Sequence, residues 1–265
     1  LVYAGSREQE FLDKINGLTY EQIARRGGGI LNSADLLHRT SEEELYRQAM
    51  GRIREIAAMG TGAVEIKSGY GLTTADELKM LRVIRRIRET AQLGMRAKIH
   101  ANELAVSGGV QVGVEYDALS VDHLERMGAA EIGALHGTVT SPTMLPGAAF
   151  FLGMSYPPAR EMINAGLGVA LASDYNPGSS PSGNMRMVVS LACIRMRMTP
   201  AEAINAATLN GAYAMGLSRD YGSVTVGKVA NFFLTVPMPS VAFMPYAYTT
   251  PLISRIFLRG EEVVA

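Results

Sequence analysis

Short apolar runs alternate along most of the chain with stretches whose apolar residues recur at helical spacing. "GAVEIKSGYG" (62–71) reads as a strand ending in a glycine-flanked tyrosine. "TADELKMLRVIRRIRET" (74–90) follows with acidic residues early, basic residues late and apolar residues at helical spacing, which predicts a helix. The couplet recurs in "MRAKIHANEL" with the helical spacing of 107–116, and in "ALSVDHLERM" with "GAAEIGALH". It recurs again in "GTVTSPTMLPGA" with "YPPAREMINAG" and in "GVALASDYNPG" with "NMRMVVSLACIRM". "TPAEAINAATLNGAYAMGL" (199–217) predicts two last helices, after which the period falls to two in "GSVTVGKVANFFLTV" and "LISRIFLRGEEVVA". A small β segment is therefore expected to close the chain. Repeated strand–helix couplets predict an α/β fold with a parallel sheet, and polar residues at the carboxyl ends of the strands favour a (β/α) barrel over an open sheet.

The 265 residues are 48% hydrophobic and 19% charged, enough apolar material for one large core or for a large domain with a small companion. Twenty-five basic residues balance twenty-five acidic ones, so no global field favours nucleic acid or an anionic membrane, and a small-molecule substrate is expected. Cys193 is the only cysteine, which excludes an internal disulfide framework and fits a reducing, cytoplasmic setting. No stretch has the length of a membrane span or the pattern of a signal peptide.

Four histidines are present. His100 in "KIHANEL" and His123 in "LSVDHLE" sit where a strand meets its loop, as does Asp174 in "VALASDYNPG". Any one of them reads equally well as a hydrogen-bonded histidine or a capping aspartate. In a barrel, however, strand ends far apart in sequence converge on one mouth, so the three could share one cation or one substrate. His38 and His136 lie beside helix-end signals and are expected on the solvated surface. "RRGGGI" lacks the Gly-Lys-Ser/Thr ending of a phosphate loop and reads as a flexible lid. The methionines of "NMRMVV" and "IRMRM" read as adaptable helix packing.

"LVYAGSREQEF", "RRGGGI", "EIKSGYGL", "ELKMLRV", "KIHANEL", "DHLE", "TMLPGAAFFL" and "ASDYNPGSSP" resemble, in order, signatures of the imidazolonepropionase family of metal-dependent amidohydrolases. The match runs from Leu1 to about Leu217. It implies a (β/α)8-type amidohydrolase barrel over 1–218 with a remnant of a small β domain over 219–265. It also implies hydrolytic opening of the 4-imidazolone-5-propanoate ring to N-formimino-L-glutamate, one divalent zinc or iron, and a homodimer. By the resemblance, His100 and Asp174 are metal ligands, and Glu103 is the acid–base carboxylate, a duty Asp174 could share. His123 polarises the substrate carbonyl. Arg7, Tyr70 and Glu103 grip the substrate, with Asn176, Gly178 and Ser179 as the opposite wall. Lys67 as a carbamylated bridging ligand is disfavoured, because the resemblance points to a single metal.

Two departures qualify these expectations. The family's His-x-His pair, which supplies two metal ligands, precedes the segment matching "LVYAGSRE", and two βα units of the family fall between Thr90 and Ala91. The sequence is thus expected to be an incomplete copy of the barrel, since missing staves would expose strand edges, and its metal could be absent. The alternatives are a compact natural variant, another amidohydrolase or deaminase specificity, and a non-catalytic ligand-binding barrel.

Overall fold

In a computed structural model, the described residues are 1–263 apart from 63, 65, 67–70, 72, 92–97, 104, 107 and 116. The chain forms two units, one built from 1–56, 64–94 and 175–181, the other from 57–63, 95–174 and 182–265.

The first unit is helical among its described residues: α1 (Glu8–Ile15), α2 (Tyr20–Arg25), α3 (Ile30–Arg39), α4 (Glu42–Ala58) and α5 (Thr74–Ala91). The expected helix over 74–90 is present as α5. Its apolar stripe of Met80, Val83, Ile84 and Ile87 packs with Leu45 and Ala49 of α4, Leu37 of α3, and Val2 and Ala4. Ion pairs from Arg82 to Glu42 at 2.8 Å and from Arg86 to Glu43 lie outside this core, and surface pairs of this kind add little. Most of the strand expected over 62–71, with Lys67 and Tyr70, lies outside the described residues. "RRGGGI" leads into α3, and its Gly29 N–H donates to Glu10 Oε1 at 3.0 Å.

The second unit holds a four-stranded parallel sheet in the order β1 (Ile99–Ala101), β2 (Ser120–His123), β3 (Ser141–Met144), β4 (Ala170–Leu171). Helices follow the strands as the sequence pattern requires: α6 (Gly109–Glu115), α7 (Ala129–Leu135), α8 (Pro146–Leu152), α9 (Ala159–Asn164), α10 (Met185–Met196), α11 (Pro200–Ala207) and α12 (Leu209–Ala214). Every residue of β2 and β3 is buried, the signature of a parallel sheet covered on both faces. Gly113 in α6 lies so close to the Val121 side chain that an added Cβ would collide with it. Glycine there lets the helix sit down on β2. The methionines behave as packing residues, with Met144, Met162, Met196 and Met198 all inside this core.

α11 begins in a capping box in which Thr199 accepts from the Glu202 N–H at 3.3 Å and Glu202 accepts from the Thr199 N–H at 2.7 Å. Arg160 of α9 donates two hydrogen bonds to the same carboxylate, at 3.0 and 2.6 Å. Arg160 first, then the Thr199 backbone, holds the Glu202 carboxyl at about 2, well below its ordinary 4.5. A depressed carboxylate stabilises the fold above its unfolded pKa, and that contribution disappears as pH falls toward the folded value. Glu202→Gln keeps the cap but removes the charge. It is expected to lower stability by about 1 kcal/mol at neutral pH, the pair being partly exposed. The difference should shrink between pH 4.5 and 2, which thermal melts of both proteins across that range would check.

The closing β segment is an antiparallel sheet of β5 (Phe232–Thr235), β6 (Ile253–Leu258) and β7 (Glu261–Val263), with a one-turn helix α13 (Phe243–Tyr246) between the first two strands. Phe232 stacks on Phe257 across it, with ring centroids 4.8 Å apart. The expected strand starts later than its alternation suggests. Val224 and Val226 are fully or almost fully exposed in a turn bounded by Gly222 and Gly227, both at positive φ. Alternation there has no neighbouring strand to act on. No described helix is long and apolar enough to cross a membrane.

Candidate metal centre

In the second unit the carboxyl ends of the parallel strands carry the chemistry. His100 lies in the middle of β1, Glu103 two residues beyond its end, His123 is the last residue of β2, and Asp174 follows β4. Ala101 pairs with His123 in register, so the two strand ends are level. The turns beyond them are strained: Asn102, His123, Leu124 and Asp174 all have positive φ, a conformation L residues adopt at a cost of about 1–3 kcal/mol. The β1–β2 pairing nonetheless continues into the turn. Leu124 N–H donates to the Ala101 carbonyl at 3.1 Å and Arg126 N–H to that of Asn102 at 2.9 Å. These bonds hold the strained residues in place.

The result is a tight cluster. His100 Nε2 lies 3.0 Å from Glu103 Oε2, and His123 Nδ1 lies 3.7 Å from Glu103 Oε1. His123 Nε2 is 4.0 Å from Asp174 Oδ2, and the two imidazoles are 4.1 Å apart between centroids. One donor atom each from His100, Glu103 and His123 falls within 4.8 Å of the others. Imidazole with carboxylate is the donor chemistry of catalytic zinc and non-haem iron sites. The residues therefore fit a divalent metal.

Charge distribution follows from these distances. The hydrogen bond from His100 holds the Glu103 carboxyl below the usual carboxylate range, against the opposing effect of burial, and His123 adds to it. At His123 burial works against the charged form, but Glu125, Asp174 and Glu103 together outweigh it and raise the imidazole above its ordinary 6.5. The cluster thus favours an ionised base beside a readily protonated imidazole.

The remaining expected site residues that are described lie in the first unit. Arg7, which directly precedes α1, is almost buried, pairs with Glu10, and packs its guanidinium against Gly178 so closely that any Cβ at 178 would displace it. Asn176 Oδ1 accepts from the Gly178 and Ser179 N–H groups at 2.9 Å each, and its Nδ2 donates to Ser179 Oγ at 2.8 Å. Arg7, Asn176, Gly178 and Ser179 therefore form one packed group. Tyr70 lies outside the described residues. His38 and His136 are on the surface, His38 with Nδ1 2.9 Å from Asp76 Oδ2.

Two residues escape sequence reasoning. Glu10 anchors both Arg7 and Gly29, which fixes the glycine-rich segment read as a lid into the start of α3. Glu125 places a carboxylate oxygen 3.6 Å from His123 Nδ1. Its signal is the acidic residue two positions after the histidine in "DHLE".

A sequence model of the amidohydrolase family matches residues 27–250. The chain is 47% identical to the imidazolonepropionase of Christiangramia forsetii and 47% identical to that of Flavobacterium johnsoniae, in each case over 99% of this chain and 80% of the relative. Both alignments span 331 residues against the 265 of this chain, so at least 66 aligned positions of each relative have no counterpart here. A zinc-bound adenosine deaminase from Xanthomonas campestris shares the fold at 20% identity with a TM-score of 0.53, over 70% of this chain and about half (48%) of that structure's own length. The parallel sheet with its crossover helices is thus that of a (β/α)8-type amidohydrolase barrel, and the chain belongs to the amidohydrolase family and, within it, to the imidazolonepropionases.

Proposed function

We propose that this hydrolase opens the ring of 4-imidazolone-5-propanoate to give N-formimino-L-glutamate, a step of histidine degradation, with a bound zinc or iron. The observation that carries this reading is the Glu103 carboxylate, which spans the two imidazoles, 3.0 Å from His100 and 3.7 Å from His123. His100 and Asp174 are the residues that would hold the metal. When bound, the metal supplies a Lewis acid that brings the pKa of water toward neutrality.

The chain's own groups carry the proton traffic. Glu103, kept ionised by His100, takes the proton of the attacking water and returns one to the departing ring nitrogen. His123 donates a hydrogen bond to the carbonyl oxygen as negative charge develops on it. Asp174, 4.0 Å from His123 Nε2, stabilises that imidazole while it donates. Arg7, held by Glu10, receives the propionate carboxylate, and Tyr70, Asn176, Gly178 and Ser179 complete the substrate's surroundings. The reading includes a cytoplasmic homodimer, to which the lone Cys193 is suited. It also assigns part of the 66 or more unmatched positions to the junction of residues 90 and 91.

Removing the carboxylate partner tests the substrate assignment. Arg7→Ala is expected to raise KM by about 10- to 100-fold, the equivalent of roughly 1.5–3 kcal/mol of charge-assisted hydrogen bonding. Steady-state kinetics on the imidazolone substrate would show it, and an unchanged KM would place Arg7 outside the binding site. Turnover of guanine or adenine in place of the imidazolone would support a deaminase instead.

A further inference from the structure

Glu125 is unusual among the described carboxylates of the second unit. Its side chain is 1% exposed, and neither oxygen has a hydrogen-bond partner. Burying an ionised carboxylate without partners costs several kcal/mol, so a residue kept there calls for a compensating role. The nearest polar atom of opposite character is His123 Nδ1, 3.6 Å from Glu125 Oε1, itself buried and without a hydrogen-bond partner.

The backbone explains how the two meet. Residues two apart on a strand point to the same face but stand well separated along it. Here His123 at φ 85° and Leu124 at φ 72° turn the chain at the end of β2, bringing the Glu125 carboxylate back to the imidazole. The strain of two successive left-handed residues is localised at the pair it brings together. Glu103 lies at a similar distance from Nδ1, 3.7 Å, but its other oxygen already bonds His100 and its side chain is more open. Nδ1 therefore faces two carboxylate oxygens, and a lone pair on that nitrogen would point at negative charge.

We propose that Glu125 is a positioning residue: with two carboxylate oxygens nearer Nδ1 than the one beside Nε2, it keeps a proton on His123 Nδ1, so that the ring, once protonated on both nitrogens, presents Nε2–H to the carbonyl oxygen on the Asp174 side. The Nδ1–H tautomer is the less favoured one in free histidine, so the environment must impose it. The inference deepens the role given above to His123, and rests on that reading only for its effect on rate.

Long-range proton–nitrogen NMR correlation of the metal-free, ¹⁵N-labelled protein at about pH 9–10, well above the ordinary imidazole range, reads the tautomer without any assay. The His123 signals are assigned by their loss in His123→Asn. Wild type is expected to show Nδ1 protonated and Nε2 unprotonated. In Glu125→Ala the proton should move to Nε2. In Glu125→Gln the amide has no other partner to bind its oxygen, so it can accept from Nδ1–H and should preserve the wild-type tautomer. With the imidazolone substrate, Glu125→Ala should lower kcat by about 10- to 100-fold with KM within about twofold, and Glu125→Gln should recover most of the loss.

A wild-type His123 protonated on Nε2, or an unchanged tautomer in Glu125→Ala, would overturn the proposal. Should Glu125→Ala not fold, the wild-type and Glu125→Gln spectra decide it. The Nδ1–H tautomer in a protein that does not open the imidazolone ring would support the positioning role and refute the functional reading. Ring opening with His123 protonated on Nε2 would do the reverse.

Discussion

Glu103→Gln is expected to reduce kcat about a thousandfold while leaving the bound metal in place. A general acid–base group contributes roughly 10²–10⁴ in rate, and Glu103 serves both proton transfers in the proposed reaction, so the upper part of that range applies. Its geometry suits this duty. One oxygen contacts His100 at 3.0 Å, the other lies 3.7 Å from His123, and the depressed pKa keeps it basic at neutral pH. Because the folded pKa lies below the ordinary 4.5, the base form is lost only as pH falls through that depressed value. Any acid limb belonging to Glu103 therefore sits below pH 4.5. Glutamine has nearly the same shape and can still bond His100, but it cannot take a proton. Elemental analysis beside steady-state kinetics separates the two roles. Loss of metal together with activity would make Glu103 a ligand instead.

His100→Ala is expected to remove metal and turnover together. His100 supplies an imidazole at the β1 end of the cluster and is the residue that holds the Glu103 carboxyl in its ionised form. Outer partners of metal ligands already change affinity by about 10–100-fold, so loss of a direct ligand should exceed that. Titration with zinc, followed by elemental analysis after gel filtration, would show wild type retaining the ion and the variant losing it. Equal retention by both proteins would remove His100 from the ligand set.

Much of the second unit is legible in the sequence because parallel strands buried on both faces leave continuous apolar runs, and the polar residue after each run marks the strand end. His100, His123 and Asp174 are legible in this way as residues at or just beyond strand ends. The distances among them are not, because they depend on the turns after Ala101 and His123, where Asn102, His123 and Leu124 adopt positive φ without glycine to announce it. Glu10 and Glu125 carry no such mark in the sequence, for the same reason. Each is an ordinary acidic residue by spacing, and only the folded chain brings it to Arg7 or His123. The valines of "GSVTVG" show the opposite failure, a clear alternation that forms no strand because glycines bound it and no strand lies beside it. The lid reading of "RRGGGI" rests on glycine content, which reports conformational freedom and says nothing of the Glu10 carboxylate that accepts from Gly29 N–H at 3.0 Å.

The central claim is that the cluster of His100, Glu103, His123 and Asp174 hydrolyses the cyclic amide of an imidazolone propionate. The most direct test incubates the zinc- or iron-loaded protein with 4-imidazolone-5-propanoate and identifies the product by mass spectrometry in ¹⁸O-labelled water. One labelled oxygen in N-formimino-L-glutamate, formed by wild type and not by Glu103→Gln, is the predicted result. Unchanged substrate under those conditions, with ammonia released from guanine or adenine instead, would contradict the account.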